Sequence, residues 1–277
     1  MVGRVSGGKM EVANMLVVIK GAGDLATGIA YRLKMAGFQI VMTEIARPTV
    51  VRHTVAFASA VYTKSVCVEG VTSVLCATME EVKEALAKDF VPVIVDEKAE
   101  VIEILQPKVV VDAIIAKKNI GTCITDADIV IGVGPGFEAG VDCHYVVETK
   151  RGHYLGRVIT EGSAIPNTGI PGEIGGYTKE RIIRSPKSGC FKPVKKIGDS
   201  VKPGDVVAYI DDVPVLASIE GIVRGMLVDE MIVPEGFKCG DIDPRCVKEH
   251  CFSISDKARS IGGGVLEAIM RGGNIYE

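Results

Sequence analysis

The chain has 277 residues, 47% hydrophobic and 24% charged, which excludes a stapled mini-protein, a disordered chain and a fibrous one. Its net charge is −3 and its lysines and arginines are scattered, so it shows no electrostatic footprint for nucleic acid. No apolar run nears the roughly 18 residues of a membrane helix.

Residues 1–14 lack the apolar core of a signal peptide and read as a loose leader. Eight cysteines without a secretion signal point to reduced thiols and a cytoplasmic protein. Residues 16–20 form a short apolar run that predicts a strand. Leu25, Ile29, Leu33 and Ala36 then make a helical stripe, and residues 39–43 predict a second strand. Between the first strand and the helix lies Gly21-Ala-Gly23-Asp-Leu-Ala26, a G-x-G-x-x-A turn in the context where that pattern carries weight. The first glycine permits the tight turn, and the second lets a pyrophosphate approach the backbone and the amides opening the helix. Glu44 follows the second strand, where a carboxylate can accept from ribose hydroxyls. Asp24 and Leu25 belong to the same turn, and Asp24 repels a phosphate unless it caps the helix.

Thr78-Met-Glu-Glu81 has capping-box spacing and predicts a helix over about 79–88. Residues 91–96, 109–116 and 128–133 are near-continuously apolar, as strands buried on both faces are, which predicts a parallel sheet covered by helices. Gly132-Val-Gly134-Pro-Gly136-Phe137 forms a second glycine-rich loop after such a strand, and Lys117 and Lys118 offer cations on the same side. Ligands of open α/β sheets sit beyond the carboxyl ends of the strands, so both loops are expected to face one crevice. Asp142-Cys143-His144 is the densest trio of reactive side chains. It makes Cys143 a candidate catalytic thiol, with a buried core thiol as the alternative. Cys239, Cys246, His250 and Cys251 are metal-ligand types, but their spacing matches no zinc motif, and no metal is assigned.

Past residue 143 the texture changes. Residues 144–149 and 154–160 predict a hairpin, and residues 162–176 (GSAIPNTGIPGEIGG) form a long junction loop. Residues 185–242 hold an internal repeat at an offset of 32: Ser185 maps to Ala217, Gly189 to Gly221, Phe191 to Val223, Val201 to Val233, Gly204 to Gly236 and Ile210 to Ile242. Two such copies can bury each other's apolar faces. This unit resembles the biotinyl/lipoyl-type module. The connecting hairpin, Ile210-Asp-Asp-Val-Pro-Val215, has no carrier lysine, so attached biotin or lipoate is not expected and a docking role is. Ser255 predicts the N-cap of a last helix, with apolar positions at Ala258, Ile261, Val265 and Ile269. Its Gly262-Gly-Gly264 run implies close packing against the first domain.

Further segments carry a broader resemblance: Lys20-Gly-Ala-Gly-Asp-Leu-Ala-Thr-Gly28, Thr43-Glu with Pro48 and Arg52, Gly132-Val-Gly-Pro-Gly-Phe137, Ala139-Gly-Val-Asp-Cys-His144, Glu148-Thr-x-Arg-Gly-His153, Asn167-Thr-Gly-Ile-Pro-Gly172, Gly240-Asp-Ile-Asp-Pro-Arg245 and Ser255-Asp-Lys-Ala258. Together they resemble the selenium-dependent molybdenum hydroxylase system accessory proteins, the YqeB-like family, whose first domain is similar to the nucleotide-binding part of xanthine dehydrogenase accessory proteins. The resemblance implies a maturation factor handling a nucleotide or molybdopterin-type cofactor. Its partners would be a molybdenum hydroxylase apoenzyme or other maturation proteins, and self-assembly stays open. Gly21, Gly23, Asp24, Leu25, Glu44, Lys117, Gly134 and Gly136 would hold the ligand, with Cys143 handling sulfur or selenium. The alternative is an NAD(P)-dependent oxidoreductase with Glu44 on the adenosine ribose, although no proton donor or substrate clamp stands out.

The expected architecture is α/β. A Rossmann-like parallel sheet (15–143) leads through a hairpin and junction loop (144–184) to a barrel-sandwich, biotinyl/lipoyl-like module (185–245). A C-terminal helical segment (246–277) returns to the first domain.

Overall fold

The computed structural model describes residues 15–169 and 171–273; the leader of residues 1–14 lies outside them. The first half comprises β1 (Leu16–Lys20), α1 (Asp24–Met35), β2 (Gln39–Glu44), α2 (Ala60–Thr63), β3 (Ser65–Val68), β4 (Val71–Cys76), α3 (Met79–Ala87), β5 (Val91–Val95), α4 (Val101–Leu105), β6 (Val109–Asp112) and β7 (Ile129–Val133). Next come β8 (Glu138–Ala139), β9 (Tyr145–Val147), β10 (Val158–Ile159) and β11 (Gly162–Ser163).

These build one nine-stranded sheet in the order β10-β9-β7-β6-β1-β2-β5-β4-β3. β3 and β10 run antiparallel at the two edges, and the strands between them are parallel. The apolar runs explain the arrangement, because both faces of the central strands are covered. Val17 and Ile19 of β1 face α1, while the intervening Val18 packs towards Val82 and Ala85 of α3. From β1 the chain passes to its neighbour β2, crosses to the edge at β3, works back inward through β4 to β5, and then moves to β6 on the other side of β1. The order therefore reverses between β1 and β6, and loops diverging from that point leave a crevice at the carboxyl ends.

One sequence expectation is corrected and two are refined. The strand expected over 109–116 stops at Asp112, whose carboxylate accepts from the Ile114 N–H (3.2 Å) and the Thr122 hydroxyl (2.6 Å). Beyond it the backbone enters the left-handed region at Ile115 (φ 61°) and Lys117 (φ 64°), which no strand can do. The expected hairpin does form between β9 and β10, but β9 pairs with β7, so it continues the large sheet rather than separating two domains. Thr78 caps α3 by accepting from the Glu81 N–H (3.2 Å), and the Glu81 side chain reaches back to the Ala77 N–H (2.6 Å).

The remaining strands are β12 (Ile182–Arg184), β13 (Gly189–Pro193), β14 (Ser200–Val201), β15 (Val206–Ile210), β16 (Val213–Leu216), β17 (Gly221–Met226), β18 (Met231–Val233) and β19 (Lys238–Asp243). They form two four-stranded sheets, β12-β19-β17-β14 and β16-β15-β13-β18. A shift of four strands turns each order into the other, the structural form of the 32-residue repeat. Phe191, Ile210, Val223 and Ile242, two repeat pairs, meet in the core between the sheets. The segment after β2 fastens this unit to the large sheet: the Met226 N–H donates to the Val51 carbonyl (2.7 Å).

Helix α5 (Asp256–Gly272) closes the chain, with Ser255 Oγ accepting from the Ala258 N–H (3.2 Å). It crosses α1 at glycines. A Cβ at Gly28 would lie 2.6 Å from that of Ala258, and one at Gly262 would lie 2.9 Å from the Gly28 carbonyl oxygen. The glycine run thus allows backbone contact between the helices, and its cost in helix propensity is offset by burial of Ile261, Val265 and Ile269.

Candidate functional site: a basic cleft at the strand-order reversal

A cleft of about 630 Å³ lies at the carboxyl ends of the parallel strands. Its volume falls in the range of small-molecule sites, about 300–1,000 Å³. Asp24 and Leu25 follow β1, Ile115 and Lys117 follow β6, Pro135 follows β7, and Thr149, Lys150 and Arg151 follow β9. The junction loop contributes residues 165–169 together with Pro171, Gly172 and Ile174, and the opposite wall is Arg181, Arg184, Arg224 and Lys238 of the two-sheet unit. Ser255 and Lys257 add the first turn of α5. Eight of the lining residues are cations, against one carboxylate, Asp24.

Four of the cations are anchored. Arg151 makes a two-pronged bond to Asp256 (2.6 and 2.8 Å), and Arg181 pairs with Asp241 (3.0 Å). Arg224 lies between Asp241 (3.7 Å) and Asp243 (3.5 Å), and Arg184 donates to the Gly236 carbonyl (2.7 Å). Lys117, Lys150, Lys238 and Lys257 make no ion pair with a described residue, and the Nε atoms of Arg181 and Arg224 are buried without a hydrogen-bond acceptor. Burial holds the Lys257 ammonium below the usual lysine range, and Arg151 pushes it further in that direction. The site therefore presents positive charge that its own carboxylates do not consume, the requirement for holding an anion.

Buried polar groups set the shape of the rim. Glu148 accepts from the N–H groups of Thr149 (2.8 Å), Lys150 (2.7 Å) and Ile165 (2.8 Å), tying the loop after β9 to the junction loop. Lys20 donates to Thr122 Oγ1 (2.6 Å) and lies 3.5 Å from Asp112, so the loops after β1 and β6 share one buried network. Two left-handed residues flanking Ala116, Ile115 and Lys117, both line the cleft; such strain persists where the surroundings hold it.

Of the residues singled out in the sequence, Asp24, Leu25 and Lys117 reach the cleft. Gly21 supplies its turn at φ 89° and packs against Ile114. Gly23 has open space where a Cβ would stand. Glu44 turns back on the turn itself, accepting from the Ala22 N–H (3.0 Å) and the Ile45 N–H (2.9 Å). Burial raises its pKa and those two bonds lower it.

The second glycine-rich loop does not present its glycines to a ligand. A Cβ at Gly134 would meet Thr149 Oγ1 at 2.8 Å, and one at Gly136 would meet the Lys118 backbone at 2.6 Å. Both are small so that loops can pack, and Pro135 between them faces the cleft. Cys143 is fully buried among Val110, Val130 and Val146, and burial pushes its thiol up to about 11, the opposite of activation. Of the two readings made from the sequence, burial supports the core thiol. His144 Nδ1 accepts from the Val130 N–H (3.0 Å). Cys239 sits in the core between the two sheets and Cys246 is exposed; no group of three or more His, Cys, Asp or Glu among the described residues is placed to hold a metal ion.

The fold and the site define an α/β protein with a large mixed sheet, two further antiparallel sheets and a basic cleft where they meet. The chain is 51% identical over 257 residues to "Uncharacterized protein YqeB" of Escherichia coli K12, an alignment covering 93% of this chain and 48% of that protein. The chain is similar to this relative over nearly its whole extent and spans about half of the relative's length. No family model matches the chain. Solved structures of an aspartoacylase family protein from Mesorhizobium loti and a succinylglutamate desuccinylase/aspartoacylase from Rhodobacter sphaeroides align over 83% of it. They cover 84% and 85% of those chains at 12% and 11% identity, and the TM-score of 0.24 for each is too low to bear on fold or function. Among the described residues no helix is long and apolar enough to cross a membrane.

Proposed function

We propose that this protein is a cytoplasmic accessory factor in the maturation of a selenium-dependent molybdenum hydroxylase, holding a phosphate-bearing nucleotide or molybdopterin-type cofactor as cargo in the basic cleft. On this reading the large sheet is a Rossmann-like nucleotide-binding unit. The paired sheets are a biotinyl/lipoyl-like module whose β15–β16 hairpin lacks the carrier lysine and which serves as a docking element for the apoenzyme or another maturation protein. The reading rests on one observation above all: eight cations and one carboxylate line a cleft at the point where the strand order reverses. Lys117 and Lys257 would meet the phosphates, with Leu25 and Ile165 as apolar walls. The resemblance to the accessory family supplies the cargo class.

The competing NAD(P)-dependent oxidoreductase needs Glu44 on a ribose, whereas its carboxylate is engaged by the Ala22 and Ile45 amides. Calorimetric titration of the full chain with molybdopterin, CTP, NAD and NADP tests the choice, together with mass analysis of any ligand that co-purifies. Binding of molybdopterin or its nucleotide form, weakened in Lys117→Ala and Lys257→Ala, is the expected result. Tight NAD(H) binding with none for pterin compounds overturns the proposal.

A further inference from the structure

A second, smaller cavity of about 190 Å³ opens beside the cleft, lined by Arg52, Arg224, Arg245, His250 and residues 253–256. It is below the size of a cofactor site. We propose that it is a separate subsite for a small oxyanion of the phosphate class. The proposal goes beyond the cargo assigned above and does not depend on it.

The floor is a cation that cannot retreat. The Arg52 side chain is 5% exposed, and its guanidinium is fixed by the carbonyls of His250 (2.9 Å) and Ser253 (3.1 Å), with Asp24 at 3.5 Å. Its Nε–H nevertheless has no acceptor, and neither does that of Arg224; His250 Nδ1 is buried and unpartnered as well. Burying a polar atom without a partner costs about 1–3 kcal/mol. Arg224 Nε has the Asp241 carboxylate 3.7 Å away; Arg52 and His250 wall the same cavity, and a group with acceptor oxygens there would complete their bonding. An oxyanion accepts from both guanidinium groups and from the imidazole in its Nδ1–H form. The first turn of α5, a 17-residue helix, faces the same space and adds the positive end of its dipole.

The neighbouring carboxylates do not turn the site into one for a cation. Asp256 lines the cavity, but Arg151 engages both of its oxygens. Asp243 gives one oxygen to the Arg245 N–H and Nε–H and the other to its NH2 group (2.6 Å). Asp241 lies 3.7 Å from Arg224 Nε and bonds Arg181. Asp241 Oδ1 is itself buried without a partner, but Asp241 does not line the cavity, where three guanidinium groups stand against the one carboxylate of Asp256. Arg224 and Ser255 line both cavities, so an oxyanion here and a ligand in the cleft would be neighbours across one arginine.

Inorganic phosphate is the probe, titrated into the full chain by calorimetry and followed by phosphorus NMR. The expected result is a saturable site whose affinity falls about tenfold or more in Arg245→Gln and in His250→Asn, and stays within about twofold in Lys108→Ala, an exposed lysine outside both cavities. Circular dichroism and thermal melting establish that each variant is folded, and Arg245, on the rim, is the safer of the two. Loss of phosphate binding in Lys117→Ala equal to that in Arg245→Gln places the ion in the larger cleft and overturns the subsite. So does unchanged binding in both rim variants, or no saturable binding to the wild-type chain. Failure of the cargo reading shows separately, as loss of pterin and nucleotide binding with the phosphate isotherm intact.

Discussion

Lys257 makes no ion pair with a described residue, and burial, with Arg151 nearby, makes its charge costly to keep although Asp24, Glu148 and Asp256 partly offset that cost. An anion in the cleft supplies the missing partner, so Lys257→Ala should weaken binding of the phosphate-bearing ligand about tenfold, a change of about 1.4 kcal/mol, with little change in melting temperature. The same depressed pKa gives a pH dependence with a definite sign. Lysine loses its proton below the usual range here, so affinity should decline with rising pH before pH 10.5 is reached, and Lys257→Arg should move that decline to higher pH. Calorimetry across an alkaline pH series reads both effects; a flat profile in the wild-type chain removes Lys257 from the site. Thiols give a second residue-scale test. Exposed Cys67, Cys123 and Cys246 should alkylate in the native protein, while Cys76, Cys143, Cys239 and Cys251 should react only after unfolding. Native labelling of Cys143, detected by peptide mass mapping, would favour the catalytic reading over the core thiol.

Elements show how far the sequence reaches. β1, α1 and β2 were legible because burial on both faces writes continuous apolar runs and burial on one face writes a helical stripe. Thr78 and Ser255 were legible because capping is a bond to an amide three residues away. Less could be read where a residue type signals closeness without naming what comes close. Gly136 marks a tight approach, but by the Lys118 backbone rather than a phosphate, and Glu44 has the right spacing for a ribose yet binds the turn's own amide. The α1–α5 crossing makes the distinction measurable. Gly28→Ala puts a Cβ 2.6 Å from that of Ala258 and 3.0 Å from its backbone carbon, so the helices must part, at a cost of about 1–3 kcal/mol. At Gly263, between the buried Gly262 and Gly264 of the same run, nothing lies within 4 Å of the new Cβ; Gly263→Ala should stabilise by about 0.5–1 kcal/mol through helix propensity. Denaturant melts of the two variants should move in opposite directions, and a shared sign would mean that the glycines are not there for the crossing.

At the scale of the whole molecule, the cleft exists because five stretches distant in sequence converge: Lys117, Lys150 with Arg151, Arg181 with Arg184, Arg224 with Lys238, and Lys257. A chain of net charge −3 concentrates positive charge in one place without any basic run in the sequence, so composition could not reveal the site. The segments marked by resemblance did contain Arg52, Arg151 and Lys257, but no local rule assigned them a common surface. One consequence follows for the two-sheet unit. If its only task were docking, charges on its cleft-facing edge would be indifferent to the small ligand. Lys238 is exposed, belongs to β19 and faces the cleft without an ion pair, so Lys238→Glu changes the field there by two charges while leaving the core between the sheets intact. Exposed charges act across solvent and are screened over about 10 Å at 0.1 M salt. The variant should therefore bind the phosphate-bearing ligand several-fold more weakly in low salt, and the difference should shrink as ionic strength rises, whereas the Lys257→Ala loss, arising from a half-buried contact, should persist. Titrations of both variants at low and high salt separate the two behaviours. Equal affinity of Lys238→Glu and the wild-type chain at low salt would show that the paired sheets bound the cleft sterically and contribute nothing to its charge.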